Sequence, residues 1–216
     1  MSETTPTETT LRKALACSYR YLATHRLTEL ASGNVSCRFG AGALISPTGA
    51  TADAIDGDSF VQVDGEGAPQ GPGRPSSELA MHLAIYRRVP QAQAVVHTHA
   101  DHCVALACCE MAIPGFHYLM GGFGGTDVPC VPYATFGSVE LAEGAAKVLV
   151  DRSACLLANH GAICHGADIE AATVRAHRME IMARQYLLSR QIRAPRMLTD
   201  AEWSGYREMA RKFRYG

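Results

Sequence analysis

The first strong hydrophobic pattern in the chain follows a polar stretch. Residues 1–10, MSETTPTETT, are polar, acidic and rich in threonine, and predict a disordered N-terminal tail. Four apolar side chains then recur three or four positions apart, at Leu11, Leu15, Tyr19 and Leu22. This spacing places them on one face of a helix, so we expect a helix that ends before the turn-rich stretch ASGNVSCRFG.

Short strand patterns come next. The segments VSCRF and ALIS flank the turn GAG, and SFVQVD is followed by GEGAPQ, so both pairs are typical of hairpins. Because these strands lie close together in the sequence, at least part of the sheet should be antiparallel.

Further along, helical patterns alternate with buried strands. One helix should hold Ser76, Ser77 and Glu78 in its first turn, Asp101 should cap the next, and a long helix should run from about Asp168 to Arg190. Between the helices, AQAVVHTHA and ACLLANHG read as strands. The alternation, interrupted by hairpins, predicts a three-layer α/β/α sandwich, and the length is that of one domain, covering residues 11–216.

Composition excludes several classes of partner. The chain has 20 basic and 21 acidic residues without a basic stripe, so nucleic acid is not expected as a partner. The start lacks the features of a signal peptide, and no apolar run reaches the roughly 18 to 20 residues that span a bilayer. We therefore expect a cytoplasmic protein without a membrane partner, whose eight cysteines are buried thiols.

Three histidines suggest a metal site. His97 and His99 lie two positions apart at the end of a predicted strand, so their rings leave the same face, with Cα atoms about 6.7 Å apart. On their own, these two rings are more typical of histidines hydrogen-bonded to neighbouring carbonyls than of a metal site. His160 ends a second apolar strand and is the candidate third ligand of a zinc site with an open position.

Glu78 and the lysines bear on the type of chemistry. At a helix start, Glu78 is typical of a capping residue, but a carboxylate beside a metal could also be a base. The three lysines lie on amphipathic helices or in a charged tail, which argues against a Schiff base. If carbonyl chemistry occurs here, a metal is the more plausible electron sink.

Three turns suggest an anionic ligand. The turns SGNVS, SPTG and PSSE are rich in small residues that offer N–H and hydroxyl donors to an anion. Each alone is an ordinary turn. Together with a predicted zinc site, they indicate a small phosphorylated ligand.

These motifs, together with RPSSE, HTHA, IPGFHYLMGGFGGTDVPCVPYATFGS and NHGAI in this order, resemble the class II aldolase and adducin-head family over nearly the whole chain. The resemblance implies a mostly antiparallel central sheet and a homotetramer whose active sites lie near subunit interfaces. It implies zinc, one ion per subunit and replaceable by another divalent metal, on His97, His99 and His160.

The resemblance also implies roles for further residues. Glu78 would be the catalytic acid and base, while Tyr118 from a neighbouring subunit and Tyr215 in the tail would handle the proton of the aldehyde oxygen. The substrate phosphate would be held by Gly33, Asn34, Thr48, Gly49, Ser76 and Ser77.

The reaction implied is reversible cleavage of a ketose 1-phosphate, of the L-fuculose 1-phosphate type, to dihydroxyacetone phosphate and an aldehyde. Some family members instead cleave 5-deoxyribulose or 5-methylthioribulose 1-phosphate, and others are methylthioribulose 1-phosphate dehydratases or pentulose phosphate 4-epimerases. Glu78 argues against the epimerases, which carry Asp at this position. A non-catalytic assembly domain like that of adducin is disfavoured by Glu78 and the complete histidine set.

Overall fold

The computed structural model describes residues 7–213, and its centre is a sheet of seven strands. In chain order these are β1 (Asn34–Phe39), β2 (Gly42–Ile45), β3 (Val61–Val63), β4 (Ala94–Thr98), β5 (Cys130–Val131), β6 (Ala154–Leu157) and β7 (Gly161–Gly166). Their order across the sheet is β3-β2-β1-β4-β7-β6-β5. Neighbouring strands are antiparallel except for β5 and β6, which confirms the mostly antiparallel sheet.

Helices cover both faces of this sheet. They are α1 (Glu8–Thr24), α2 (Leu79–Arg88), α3 (Asp101–Ala107), α4 (Val139–Val148), α5 (Ile169–Ile192) and α6 (Asp200–Phe213). One buried cluster packs α1, α3 and α5 against one face, and a second packs α2 and α4 against the other. Since strand side chains alternate, Val96 belongs to the first cluster and Val95 to the second. The predicted three-layer sandwich is confirmed.

The register of the central strands brings distant segments to one edge. In β4, His97 pairs with Asn34 of β1 on one side and with Ile163 of β7 on the other. His99 follows directly after β4, and His160 lies in the short turn between β6 and β7. The histidine motifs therefore meet where the central strands end.

The N-terminal boundary differs from the prediction. Helix α1 begins at Glu8 rather than Leu11, because Thr7 takes the N-cap position and its hydroxyl accepts a hydrogen bond from the amide of Thr10. Residues 8–10 are therefore helical and not part of a disordered tail. Residues 1–6 of that predicted tail lie outside the described residues.

Two predicted helix starts were also wrong. Ala100, not Asp101, is the N-cap of α3. The first amides of α3 are instead capped by a distant residue, Glu180 of α5. The carboxylate of Glu180 accepts hydrogen bonds from the amides of His102 and Cys103. Helix α2 begins only at Leu79, after a turn that contains Ser76 and Ser77. For α3, a carboxylate from a distant helix therefore supplies the cap that Asp101 was expected to supply.

The cysteine prediction holds only in part. Cys37, Cys103, Cys155 and Cys164 are buried free thiols, but Cys17, Cys108 and Cys109 are exposed. Cys17 lies on α1, where helical periodicity turns it away from the face that buries Leu15 and Tyr19.

Helix α6 has no counterpart in the sequence prediction, which treated this region as a charged tail. Trp203 anchors α6 to the rest of the protein and is only 4% exposed, although most of the helix faces solvent. Within residues 7–213, no helix combines the length and the apolar character that a membrane crossing requires.

Candidate active site

The three histidines predicted as metal ligands converge with Glu78. One ligand atom from each of these four residues lies within 4.8 Å of the others. The Nε2 atom of His97 is 2.8 Å from Nε2 of His99 and 2.9 Å from Oε2 of Glu78. The Nε2 atom of His160 is 3.2 Å from the other carboxylate oxygen, Oε1. A strand, a loop after that strand, a hairpin turn and a helix start thus contribute to one compact group.

Two glycines allow these segments to come so close. A Cβ atom on Gly161 would lie 2.5 Å from the carbonyl oxygen of Thr98 and 3.2 Å from Cδ2 of His99. Gly33 has a φ of +76°, and a Cβ atom there would lie 2.8 Å from the carbonyl oxygen of His97. Any larger residue would push apart the segments that carry the histidines.

The hydrogen bonding of His97 indicates that the group fits a cation. Its Nδ1–H donates to the carbonyl of Ala162 at 3.0 Å, so Nε2 of the neutral ring carries a lone pair. This lone pair faces the carboxylate of Glu78, which also offers only lone pairs. Such an electron-rich group is stable when a positive charge lies among its atoms, and imidazoles with a carboxylate form a typical donor set for a divalent transition metal.

A buried carboxylate oxygen supports the same conclusion. Among the described residues, Oε1 of Glu78 has no hydrogen-bond partner of good geometry, although Nε2 of His160 lies nearby. An unsatisfied buried acceptor is costly unless a cation compensates it. The four residues present therefore fit a bound metal ion.

The electrostatics of the group suit metal binding near neutral pH. Burial, together with the neighbouring imidazoles of His97 and His160, lowers the pKa of His99 to about 4, and burial also lowers the pKa of His160. Both rings are then neutral and can offer a lone pair. Burial alone would raise the pKa of Glu78, but its interactions with the imidazoles of His97 and His160 and the hydrogen bond from Asn34 lower it below its usual range. Glu78 is therefore an ionised carboxylate.

A cleft of about 340 Å³ borders this group and is lined by Glu78, His99 and His160. It is also lined by the residues predicted to hold a phosphate: Gly33, Asn34, Thr48, Gly49, Ser76 and Ser77. The volume is in the range of small-molecule sites, and the lining combines hydroxyl, amide and backbone donors with the candidate metal ligands.

Backbone pairing explains why two of the predicted anion-binding turns are adjacent. Pro47 and Pro75 form an antiparallel bridge, and the amide of Thr48 donates to the carbonyl of Arg74 at 3.0 Å. The amide of Ser76 donates to the carbonyl of Ser46 at 3.1 Å. The SPTG and PSSE turns are therefore held side by side, although almost thirty positions separate them in the sequence.

Glu78 occupies the N-cap position of α2 but is not used as a cap. Its Oε2 atom instead accepts a hydrogen bond from Nδ2 of Asn34 at 3.0 Å. The capping interpretation of this residue is therefore wrong.

The sequence interpretation missed other residues of the cleft. Tyr133 and Phe136 line it and are 61% and 67% exposed, and Asn159, with a φ of +52°, lines it beside His160. Exposed aromatic side chains in an irregular loop have no periodicity that would distinguish them. For Asn159, the position before His160 was a weak signal, since Asn tolerates the left-handed conformation that tight turns require.

Tyr118 is not brought into this group. It lies in a short 3-10 turn, is 49% exposed, and its ring is 6.3 Å from that of Tyr206 in α6. Among the described residues, those lining the cleft do not include it. Its predicted role from a neighbouring subunit stays a prediction, and Tyr215 lies outside the described residues.

Comparison with known proteins gives a consistent result. Residues 13–187 match the family model for the class II aldolase and adducin N-terminal domain. The chain is 42% identical over 177 residues to L-fuculose phosphate aldolase of Escherichia coli O6:H1, covering 82% of each chain. It is 41% identical over 188 residues to 5-methylthioribulose-1-phosphate/5-deoxyribulose-1-phosphate aldolase of Rhodospirillum rubrum, covering 87% of this chain and 85% of the other.

Solved structures agree with the sequence relatives. An L-fuculose 1-phosphate aldolase superposes on the whole chain with a TM-score of 0.89 and 31% sequence identity, and each chain is covered completely. The match therefore includes both the layers of the fold and the segments that form the cleft.

Proposed function

Because this chain belongs to the class II aldolase and adducin N-terminal domain family, we propose that it is a zinc-dependent aldolase. The proposed reaction is the reversible cleavage of a ketose 1-phosphate, of the L-fuculose 1-phosphate type, to dihydroxyacetone phosphate and an aldehyde. Family membership and the metal-binding group identify it as a metal-dependent class II aldolase, an aldehyde-lyase. The substrate and the identity of the metal are the parts that we propose.

The observation that carries the proposal is the joint lining of one cleft by metal-ligand candidates and by small polar turns. His97, His99 and His160 would hold the ion. When bound, zinc supplies Lewis acidity, which stabilises the negative charge that develops at a carbonyl group during carbon–carbon cleavage. The adjacent turns would hold the phosphate shared by all ketose 1-phosphates and so orient the reacting carbons.

Glu78 would move the proton at C3 of the substrate. Cleavage of the bond between C3 and C4 leaves an electron pair on C3, and delivery of a proton to that carbon yields dihydroxyacetone phosphate. An ionised carboxylate at the edge of the cleft can perform the reverse step, removal of the same proton in synthesis. The same residue thus serves both directions.

A tyrosine would move the other proton. As the bond between C3 and C4 breaks, the hydroxyl at C4 becomes the aldehyde and loses its proton. We assign this proton transfer to Tyr118 of a neighbouring subunit or to Tyr215, and we propose a homotetramer as the assembly that brings the neighbouring subunit to the site.

We further propose that residues 11–216 act as one domain, and that the protein is cytoplasmic.

A second substrate class has comparable support. The relative from Rhodospirillum rubrum is about as similar as those acting on L-fuculose phosphate, and it matches over a longer stretch. Its name specifies 5-methylthioribulose and 5-deoxyribulose 1-phosphates. Such substrates would present the same phosphate half to the turns and a different aldehyde half to Tyr133 and Phe136.

The test is product analysis with both substrates. Metal-loaded protein is incubated separately with L-fuculose 1-phosphate and 5-methylthioribulose 1-phosphate, and products are identified by NMR. Dihydroxyacetone phosphate with lactaldehyde supports the first substrate class, and with methylthioacetaldehyde the second. A dehydrated or epimerised product with no dihydroxyacetone phosphate would overturn the aldolase assignment, and protein without metal or turnover would favour an assembly domain.

A further inference from the structure

A row of buried polar side chains leads from Glu78 into the interior between β1 and α2. Glu78, His82 and Tyr86 are four positions apart and so share one face of the helical segment. Asn34 and Ser36 are two positions apart in β1 and so share one face of the strand. Four helical residues rise about 6.0 Å and two strand residues about 6.7 Å, so the two sets can interdigitate.

Each member contacts the next at hydrogen-bond distance. Nδ2 of Asn34 is 3.0 Å from Oε2 of Glu78, and Oδ1 of the same amide is 2.5 Å from Nε2 of His82. Oγ of Ser36 is 2.7 Å from Nδ1 of His82 and 2.7 Å from the hydroxyl of Tyr86. All five residues are buried, and His82 and Ser36 are completely so.

The carboxylate determines the direction of every hydrogen bond in this row. Ionised Glu78 can only accept, so Asn34 presents its NH₂ group to Glu78 and its carbonyl oxygen to His82. Nε2 of His82 must then carry the proton, which leaves Nδ1 to accept from the hydroxyl of Ser36. The hydroxyl of Tyr86 donates in turn to Ser36. Each group therefore donates toward Glu78.

The direction is unambiguous only if His82 is neutral. Burial, together with the nearby imidazole of His97, lowers the pKa of His82 to about 3, so near pH 7 the ring has one N–H. With the opposite tautomer, Asn34 would have to rotate its amide and point its carbonyl oxygen at the carboxylate. Two acceptors would then face each other in a buried site, which is unfavourable.

We propose that His82 is a positioning residue that, held by Ser36 and Tyr86, fixes the amide of Asn34 and through it the carboxylate of Glu78. This inference rests on the proposed role of Glu78 as acid and base. Asn34 also lines the cleft, so the row fixes the carboxylate relative to the turns that would hold the phosphate.

The first test reads the His82 ring in the metal-loaded wild-type protein. The ¹⁵N NMR shifts of histidine side chains distinguish a protonated ring nitrogen from one with a lone pair. We expect Nε2 of His82 to be protonated and Nδ1 to be an acceptor, with the Nε2 signal shifting when Glu78 is replaced by Gln. The opposite tautomer, a doubly protonated ring, or no response to Glu78→Gln would overturn the proposal.

The second test measures exchange of the C3 proton of dihydroxyacetone phosphate with solvent. His82→Leu removes the donor to Asn34 and is expected to slow exchange roughly 10- to 100-fold with unchanged metal content. In His82→Gln, the amide nitrogen is the same number of bonds from Cβ as Nε2, so the donor is kept and most of the rate should return. Equal losses in both variants would contradict a positioning role.

A double-mutant cycle separates positioning from a general effect on structure. If His82 acts through Glu78, His82→Leu has little further effect on residual exchange in a Glu78→Gln background. A general weakening of the fold would give the same fold-loss in both backgrounds and would refute the proposal. The matched control is His165→Leu, which removes a buried imidazole that contacts the carbonyl of Arg152 and should leave exchange unchanged.

Tyr86→Phe keeps the proposal testable if His82→Leu does not fold. It removes only the last hydroxyl of the row and should slow exchange less than His82→Leu but more than Tyr19→Phe. That second variant removes a buried hydroxyl bonded to the carbonyl of Ala50, outside the row. Equal exchange rates in the two Phe variants would contradict a role of this row in positioning Glu78.

If the wild-type protein neither cleaves nor exchanges, the proposed function fails, whereas the NMR result still decides the arrangement of His82.

Discussion

At the scale of single residues, His97 is the best-oriented ligand candidate, because its Nδ1–H is bound to the carbonyl of Ala162 and its ring is completely buried. We expect His97→Ala to lose both the metal and the aldolase activity, since it leaves only two of the three proposed imidazole ligands and removes the nitrogen that lies 2.8 Å from Nε2 of His99 and 2.9 Å from Oε2 of Glu78. The measurement is metal per chain by elemental analysis, beside the rate of cleavage.

His165→Ala provides the matched control for this loss. His165 is also a buried strand histidine, but its Nε2–H donates to the carbonyl of Arg152 rather than facing the cleft. This variant should keep its metal. A His97→Ala protein that still binds about one ion per chain would show that the ligands are misassigned.

A substitution at Glu78 can separate the loss of proton transfer from the loss of metal binding. Glu78→Gln preserves the shape of the side chain and leaves the three imidazoles in place, so we expect zinc to stay bound. Exchange of the C3 proton of dihydroxyacetone phosphate should fall by roughly two or more orders of magnitude, the range of general acid and base catalysis. The assay is loss of deuterium from the labelled compound, and rapid exchange in the variant would remove Glu78 from its role.

Residues were predictable where a side chain is chemically distinctive and its position in a strand is known. His97 and His99 stood out because period-two alternation puts both rings on one face. The family resemblance implied that Asn34 holds the phosphate, but neither its hydrogen bond to Glu78 nor its contact with His82 could be predicted. Both depend on the register in which β1 pairs with β4 and packs against α2.

At the scale of elements, Glu180 joins α5 to the start of α3, the helix that follows His99. Its carboxylate accepts from two backbone amides and from Nδ1 of His102, so Glu180→Ala leaves three donors without this partner. We expect the free energy of unfolding to fall by about 2 kcal/mol, as measured by urea denaturation.

Asp168→Ala is the comparison for this variant, because Asp168 caps α5 locally through the amide of Ala171 in an exposed position. It should cost about 1 kcal/mol. If Glu180→Ala costs no more than Asp168→Ala, the long-range cap contributes nothing beyond an ordinary one.

Elements with a regular apolar stripe were predicted and those without one were missed. The stripe Ala172, Ala176, Met179, Ala183 and Tyr186 was visible in the sequence and is buried in α5. Helix α6 buries chiefly Trp203, and one anchor gives no period. The start of α3 was misassigned because its cap comes from a residue almost eighty positions away.

At the scale of the whole molecule, the sheet determines where the chemistry can occur. The β1–β4 and β4–β7 pairings bring Asn34, His97 and the β6–β7 turn to one edge, and α2 contributes Glu78 from the layer above. The alternation of helices and hairpins predicted the layers, whereas the strand order depends on long-range pairing that no local pattern encodes.

The exposed position of Tyr118, outside the cleft of its own chain, leads to a prediction about assembly. If Tyr118 serves a neighbouring subunit, Tyr118→Phe and Glu78→Gln impair different halves of one shared site. Each variant alone should be strongly impaired, by roughly 100-fold or more. Co-expressed with different affinity tags and purified as mixed oligomers, they should recover activity, with roughly a quarter of the sites complete at equal mixing.

The control for this experiment pairs Glu78→Gln with the double variant Glu78→Gln/Tyr118→Phe, a mixture in which no complete site can form. Recovery in the first mixture and not in the second requires that one subunit supplies the carboxylate and another the tyrosine, since neither chain alone contains both. Activity no higher than the sum of the two impaired parents would mean that Tyr118 acts within its own chain or not at all. If it does not act at all, Tyr215 is the remaining candidate for the second proton transfer.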